Sequence, residues 1–321
     1  MKEQLKKYWF ILLVFVLLMS SLGYFVYSEN KDKIKGLSEN GQDIVLTIGD
    51  KKLTADELYN KMNNDTTYGL VYNQIVTNIL DNKIPVTSDM KKTAESSVKN
   101  LINNYKQQYG DKYESYLNQA LASANINGVD QIDEYFIQQD QMSKFLTEYY
   151  KKNIDKYYDK FVAASNPRLI SHILVKMNDA NNPSADEKAK MAKIDEELKT
   201  KEFGAVAKEY SDDTASAVEK GSIGLVDKNS QLVPEFLAQS LILKTGEVSQ
   251  WVKTQYGYHL IKCDASDKET LIKNQAFMDA LIRSDNKEVI KIVLAAGKEL
   301  GLTFPDEQFK KNFYKFMEVD E

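Results

Sequence analysis

The sequence predicts an α+β chain: an amino-terminal transmembrane helix, then a mainly helical domain built jointly from the amino- and carboxy-terminal regions, with a smaller sheet-containing domain inserted into it. Three observations predict this. An uncharged run from Tyr8 to Tyr27 follows a lysine cluster. Apolar residues recur at helical spacing up to about residue 160 and again after Asp264. Between those stretches, short apolar runs alternate with a helix, the pattern of a small α+β domain. Only 5 Pro and 14 Gly in 321 residues agree with much helix, and 19 Tyr with 13 Phe supply side chains for packed cores.

At the amino terminus, Lys2, Lys6 and Lys7 precede the 20 residues Tyr8 to Tyr27. A helix of that length spans about 30 Å, enough to cross a bilayer core. The lysines predict an inside amino terminus, and Tyr8, Trp9, Tyr24 and Tyr27 resemble an aromatic belt. The expected localisation is the cell membrane, single-pass, with the bulk of the chain extracytoplasmic. A cleaved signal peptide is the competing reading, with Ser21-Leu22-Gly23 as a weak cleavage triplet.

Residues 1–27 are thus read as the anchor, and 28–42, polar with few large apolar groups, as a tether. From residue 43 to 164 a helical domain is expected. Ile44–Ile48 and Lys51–Leu53 open it as a strand and a second extended piece, and Thr54 with Glu57 forms a capping-box pattern. Leu70, Val71, Ile75, Ile79 and Leu80, then Val98, Leu101, Ile102, Tyr105 and Tyr109, mark two helices separated by Pro85, with Gly110 closing the second. Tyr113 to Leu121 and the stripe from Ile132 to Tyr150 mark two more. Such a stripe is usually core; taken together, its aromatic and methionine side chains are also suited to lining a groove for unfolded polypeptide. After the inserted domain, 165–265, residues 266–321 return to amphipathic helix and are expected to pack on the amino-terminal helices; the last helix carries Phe309, Phe313 and Phe316 on one side.

Composition narrows the chemistry. A net charge of -5 leaves no basic footprint for nucleic acid. Cys263 is the only cysteine, so neither an internal disulfide nor a cysteine-based zinc site is available, and two histidines make a buried metal site a poor fit. Cys263 is expected to be half-buried structure. No serine or cysteine stands in a nucleophile setting.

Within the inserted domain six blocks stand in order: Ile170-Ser171-His172-Ile173-Leu174-Val175, Phe203 to Asp212, Gly221-Ser222-Ile223-Gly224, Val233-Pro234-Glu235-Phe236, Leu243 to Ser249, and Thr254 to Ile261. In order and spacing they resemble the parvulin-type peptidyl-prolyl cis/trans isomerases. The whole layout is similar to the extracytoplasmic, PrsA-like foldases of Gram-positive bacteria. The resemblance implies a four-stranded sheet with helices, and a peptidyl-prolyl isomerase and foldase that assists exported proteins at the outer face of the membrane. Its catalytic residues would be His172, Asp213, His259 and Thr254, and its proline pocket Ile223, Leu232 and Phe236. Family members usually carry Met at the place of Leu232, and many carry Asp and an aromatic at Ser222 and Val226, changes expected to fall at the pocket rim. Without the resemblance, His172 is as readily a core histidine, Leu232 and Phe236 plain core, and Asp213 a turn or cap residue. The second function class is a non-catalytic membrane-anchored chaperone with a vestigial parvulin domain.

The implied partners are unfolded or partly folded exported proteins with X-Pro bonds, and the membrane through the amino-terminal helix; nucleic acid is not among them, and there is room for a homodimer. No cofactor and no metal are implied. The loop after the first strand, Met177 to Ser184, holds no basic cluster, so no dependence on substrate phosphorylation is expected.

Overall fold

The computed structural model describes residues 37–39, 41–48, 51–61, 65–124, 126, 128–304 and 306–321. The chain divides into two compact units, Met1–Val71 and Tyr72–Glu321. In the first, β1 (Leu37–Glu39), β2 (Gln42–Ile48) and β3 (Lys51–Thr54) form an antiparallel sheet in that order, followed by α1 (Ala55–Lys61). The stretch read as a tether therefore contains a strand and the start of another, pairing Leu37 with Ile44. Thr54 and Glu57 make the reciprocal capping box, each backbone N–H donating to the other's side chain at 3.1 Å.

The second unit begins within α2 (Asp65–Lys83) and continues through α3 (Ser88–Tyr109), α4 (Tyr113–Ser123), α5 (Ile132–Lys152) and α6 (Ile154–Ser165). Leu117, Leu121 and Ile132 are buried together, with Val98, Leu101, Ile102, Tyr105 and Phe136 packed around them. The stripes of α3, α4 and α5 thus meet one another. At the end of α6, Asn166 turns the chain in a left-handed conformation (φ 51°) into the sheet.

That sheet consists of β4 (Arg168–Lys176), β5 (Ser222–Val226), β6 (Val252–Thr254) and β7 (Gly257–Ala265), all antiparallel, in the order β5-β4-β7-β6. Between β4 and β5 lie α7 (Ala185–Glu197), α8 (Phe203–Tyr210) and the short α9 (Thr214–Ala217); α10 (Pro234–Ser240) follows β5. Alternation along β4 and β7 divides the side chains between two cores. Ile173, Val175 and Leu260 pack with Ile194 of α7 and Phe203, Val206 and Ala207 of α8. Ile170, Ile261 and Cys263 pack with Phe236 of α10, Val226 and Leu243. Burying each such Ile, Val or Phe contributes about 1.5–3 kcal/mol. Cys263 is fully buried rather than half-buried, because it points into this second core.

The tail forms α11 (Lys268–Leu271), α12 (Gln275–Arg283), α13 (Asn286–Glu299) and α14 (Glu307–Phe316). All four start on an Asp or Asn (Asp267, Asn274, Asp285, Asp306) whose side chain accepts a backbone N–H three residues on. Phe277 of α12 is fully buried against Tyr158 and Phe161 of α6, with ring centroids 5.8 and 5.5 Å away. Glu288 of α13 accepts from Lys156 Nζ at 2.8 Å and Tyr157 Oη at 2.7 Å, so the tail helices pack on α6. In α14 the buried face is Phe313 and Tyr314 rather than Phe309, Phe313 and Phe316; Phe316 is 38% exposed.

The mainly helical architecture with an inserted four-stranded sheet is as expected, but the transmembrane helix in the expected fold class is corrected. Among the described residues no helix is long and apolar enough to cross a membrane. The two longest, α3 with 22 residues and α5 with 21, have the length but carry Lys91, Lys92 and Lys99, and Asp133, Glu134 and Lys144, along their outer faces. The single-pass membrane localisation and the membrane as a partner rested on that helix and are corrected with it. The segment expected to span, Tyr8 to Tyr27, lies outside the described residues.

Candidate active site

Strand register brings the two histidines together. His172 on β4 pairs with Ile261 on β7, and His259 stands two residues before Ile261, hence on the same face. Their Nδ1 atoms are 3.2 Å apart and their rings lie nearly parallel, with centroids 5.4 Å apart. Both side chains are buried, His172 at 6% exposure and His259 at 5%. Phe236 of α10 meets both rings edge to face, at 5.4 and 5.2 Å.

Two glycines permit this approach. Gly221 (φ +84°) sits where a Cβ would lie 2.5 Å from the His172 carbonyl oxygen, and Gly257 (φ +137°) where one would lie 2.1 Å from that of Val175. Any side chain at either place would push a loop off β4.

From the histidines a polar chain runs in both directions. His172 Nε2 is 2.7 Å from Asp213 Oδ2 and 3.1 Å from Ser216 Oγ, and Ser216 Oγ donates to Asp213 Oδ2 at 2.7 Å. On the other side His259 Nε2 is 2.9 Å from Thr254 Oγ1, which accepts the Tyr256 N–H at 3.2 Å. Burial pushes His259 down to about 4, helped by His172 and opposed by Asp213, so it is neutral at pH 7. For Asp213, burial acts to raise the carboxyl, but the hydrogen bonds from Ser216 and His172 outweigh it and hold the group below the usual carboxylate range.

Donor accounting then orders the chain. Thr254 Oγ1 and His259 Nε2 share one hydrogen bond at 2.9 Å. The neutral His259 has one ring N–H, so it donates on one side of this chain and accepts on the other, and His172 Nε2 donates to the Asp213 carboxylate. The wall ends in one anion.

A cavity of about 440 Å³ opens beside this wall, lined by His172, Asp213 and His259 on its polar side and by Ile223, Leu225, Val226, Leu232, Val233 and Phe236 on its apolar side. Phe236 is buried and Leu232 is 36% exposed at the mouth. Six of the seven expected site residues line the cavity. Thr254 does not: it is buried behind His259. Of the two changed positions expected at the rim, Val226 is instead buried and lines the cavity, and Ser222 is exposed and faces a different hollow. Sequence reasoning missed Ser216 and Tyr256. The spacing Asp213-x-x-Ser216 at the start of a short helix was the available signal for the first.

Residues 172–265 match the family described as Rotamase, PPIC-type PPIASE domain. The foldase protein PrsA of Geobacillus kaustophilus (strain HTA426) is 32% identical over 243 residues, which cover 74% of this chain and 75% of that protein. The chain belongs to the PrsA foldase family. The PrsA of Staphylococcus epidermidis (strain ATCC 35984 / RP62A) is 30% identical over 305 residues, 88% of this chain and 83% of that one. The crystal structure of PrsA from Bacillus subtilis aligns over 84% of this chain and 97% of that chain, with 26% identity and a TM-score of 0.43. As a PrsA-family member with a PPIC-type domain, the chain is a peptidyl-prolyl cis/trans isomerase and a foldase.

Proposed function

We propose that the isomerase reaction takes place in the cavity between the histidine pair and α10, with His172, Asp213 and His259 as its polar wall, Thr254 supporting His259 from behind, and Ile223, Leu232 and Phe236 as the slot for the proline ring. The observation that carries this reading is the juxtaposition of an ionised carboxylate with an apolar-walled side of a cavity large enough to admit a proline ring. The X-Pro amide has a rotation barrier of about 18–20 kcal/mol, set by its partial double bond. Planarity puts negative charge on the amide oxygen and positive charge on the nitrogen; twisting removes both. An anion beside that oxygen penalises the dipolar planar form more than the twisted one, while the apolar slot holds the proline ring in place. Each ~1.4 kcal/mol of that difference accelerates rotation about tenfold.

No bond breaks in this scheme, and no side chain acts as nucleophile. Thr254 and the two histidines hold the Asp213 wall in one orientation, a pre-organised arrangement that needs no rearrangement as the amide turns. Among the described residues no lysine or arginine lines the cavity, so no cationic side chain is placed there for a phosphate. In the whole chain the substrate is an X-Pro bond within an unfolded polypeptide, and we assign the sheet-containing region 165–265 to catalysis and the flanking helices, 43–164 and 266–321, to holding the rest of that polypeptide.

Leu232→Ala tests the slot, since this partly exposed side chain can be removed with little effect on the core. The expected result is a rise in KM for unphosphorylated X-Pro tetrapeptides of about tenfold, from roughly 1–1.5 kcal/mol of lost apolar contact, with kcat little changed. An unchanged KM would take the proline ring out of this cavity.

A further inference from the structure

We infer that Ser216 is a positioning residue for the isomerase reaction: its hydroxyl, with His172, occupies one oxygen of Asp213 so that the other is turned to the substrate. The inference rests on the reading of Asp213 given above. Asp213 stands at the N-cap position of α9, where an aspartate ordinarily turns its carboxylate to the helix N–H groups. Here it makes no cap hydrogen bond. Instead Oδ2 accepts from Ser216 Oγ at 2.7 Å and from His172 Nε2 at 2.7 Å. Among the described residues neither bond uses Oδ1, the oxygen left for the cavity that Asp213 lines.

Ser216 is suited to this for three reasons. It is buried, so water does not compete for its hydroxyl. It sits on the third residue of α9, three residues from Asp213, which brings Oγ over the carboxylate. Its oxygen also lies 3.1 Å from His172 Nε2, so one hydroxyl ties the carboxylate to the histidine pair. An alanine here would leave the Asp213 carboxylate with His172 as its one side-chain partner and freedom to swing toward the helix N–H groups. The charged and titratable groups around Asp213 are His172 on β4, His259 on β7, Tyr256 at the cavity wall, and Asp212, which is engaged by Lys190 of α7 at 2.6 Å. None of them replaces the lost donor.

The test uses the full chain with Ser216→Ala and Ser216→Thr. In Ser216→Ala, the Asp213 carboxyl followed by carbon-13 NMR is expected to titrate about one pH unit higher than in the unsubstituted chain, the worth of one hydrogen bond to a charged group. The turnover of an X-Pro tetrapeptide should fall about tenfold, with the acid limb of its pH profile moved the same way. Ser216→Thr keeps the hydroxyl and should restore both. An Asp213 titration that stays put in folded Ser216→Ala overturns the inference whatever the activity does. A titration that moves while turnover is unchanged upholds the clamp and removes Asp213 from the reaction, which is a failure of the functional reading alone.

Discussion

The histidine pair shows how far a residue's role follows from its surroundings. His259 is neutral because burial strips its water and His172 disfavours a second charge beside it. Its ordinary value of 6.5 falls to about 4, so between those limits the unfolded chain binds a proton that the folded one does not. The sign follows: folding stability is full above about pH 6.5 and declines as pH falls toward 4, by up to about 3 kcal/mol. The depressed Asp213 carboxyl adds a further loss at lower pH, as it protonates in the fold. Urea midpoints measured from pH 8 to pH 4 should show this decline in the unsubstituted chain and a shallower one in His259→Asn; parallel slopes would contradict it. Much of the site was legible at this scale because the only two histidines fall in motif positions. Ser216 was not, since a hydroxyl three residues from an aspartate is common at helix starts and only the fold reveals which side chains it faces.

At the scale of elements, capping and spacing carried the reading. The start of α1 follows from the Thr54–Glu57 box and that of α5 from the apolar stripe beginning at Ile132, whereas the Thr87 cap that starts α3 went unread. What escaped was orientation. Helical spacing groups Phe309, Phe313 and Phe316, but the partner surface is met by Phe313 and Tyr314, and no periodicity states which part of a wide stripe is covered. Strand β1 escaped because three residues, Leu37 to Glu39, show no alternation to detect; they are extended only because β2 pairs with them. The turn at Gly257 gives an element-scale prediction. Gly257→Ala meets the Val175 carbonyl and a positive φ together, and should lower stability by at least about 2 kcal/mol in urea denaturation. A loss of under 0.5 kcal/mol would mean that β6 and β7 shift freely against β4.

At the largest scale, the helices before and after the four-stranded sheet within Tyr72–Glu321 belong to one packed unit. Phe277 lies between Tyr158 and Phe161, and Glu288 is bound by Lys156 and Tyr157, so the tail closes on α6 after the sheet has been inserted. This arrangement was legible because the tail repeats the amphipathic character of the helices before residue 165. Phe277→Ala should therefore cost about 3–5 kcal/mol, as a fully buried ring, with the unfolding of helix and sheet signals both affected. The membrane span was inferred from a lysine-flanked apolar run, and no described helix has that character. The central claim is that a carboxylate beside an apolar slot turns the X-Pro bond. It is tested most directly by the cis/trans isomerisation of an unphosphorylated X-Pro tetrapeptide by the chain and by its folded Asp213→Asn variant, which keeps shape and loses charge. The account predicts activity in the first and a loss of about 10- to 100-fold in kcat/KM in the second, the usual scale for one preorganised charge. Equal rates in the two proteins would contradict it.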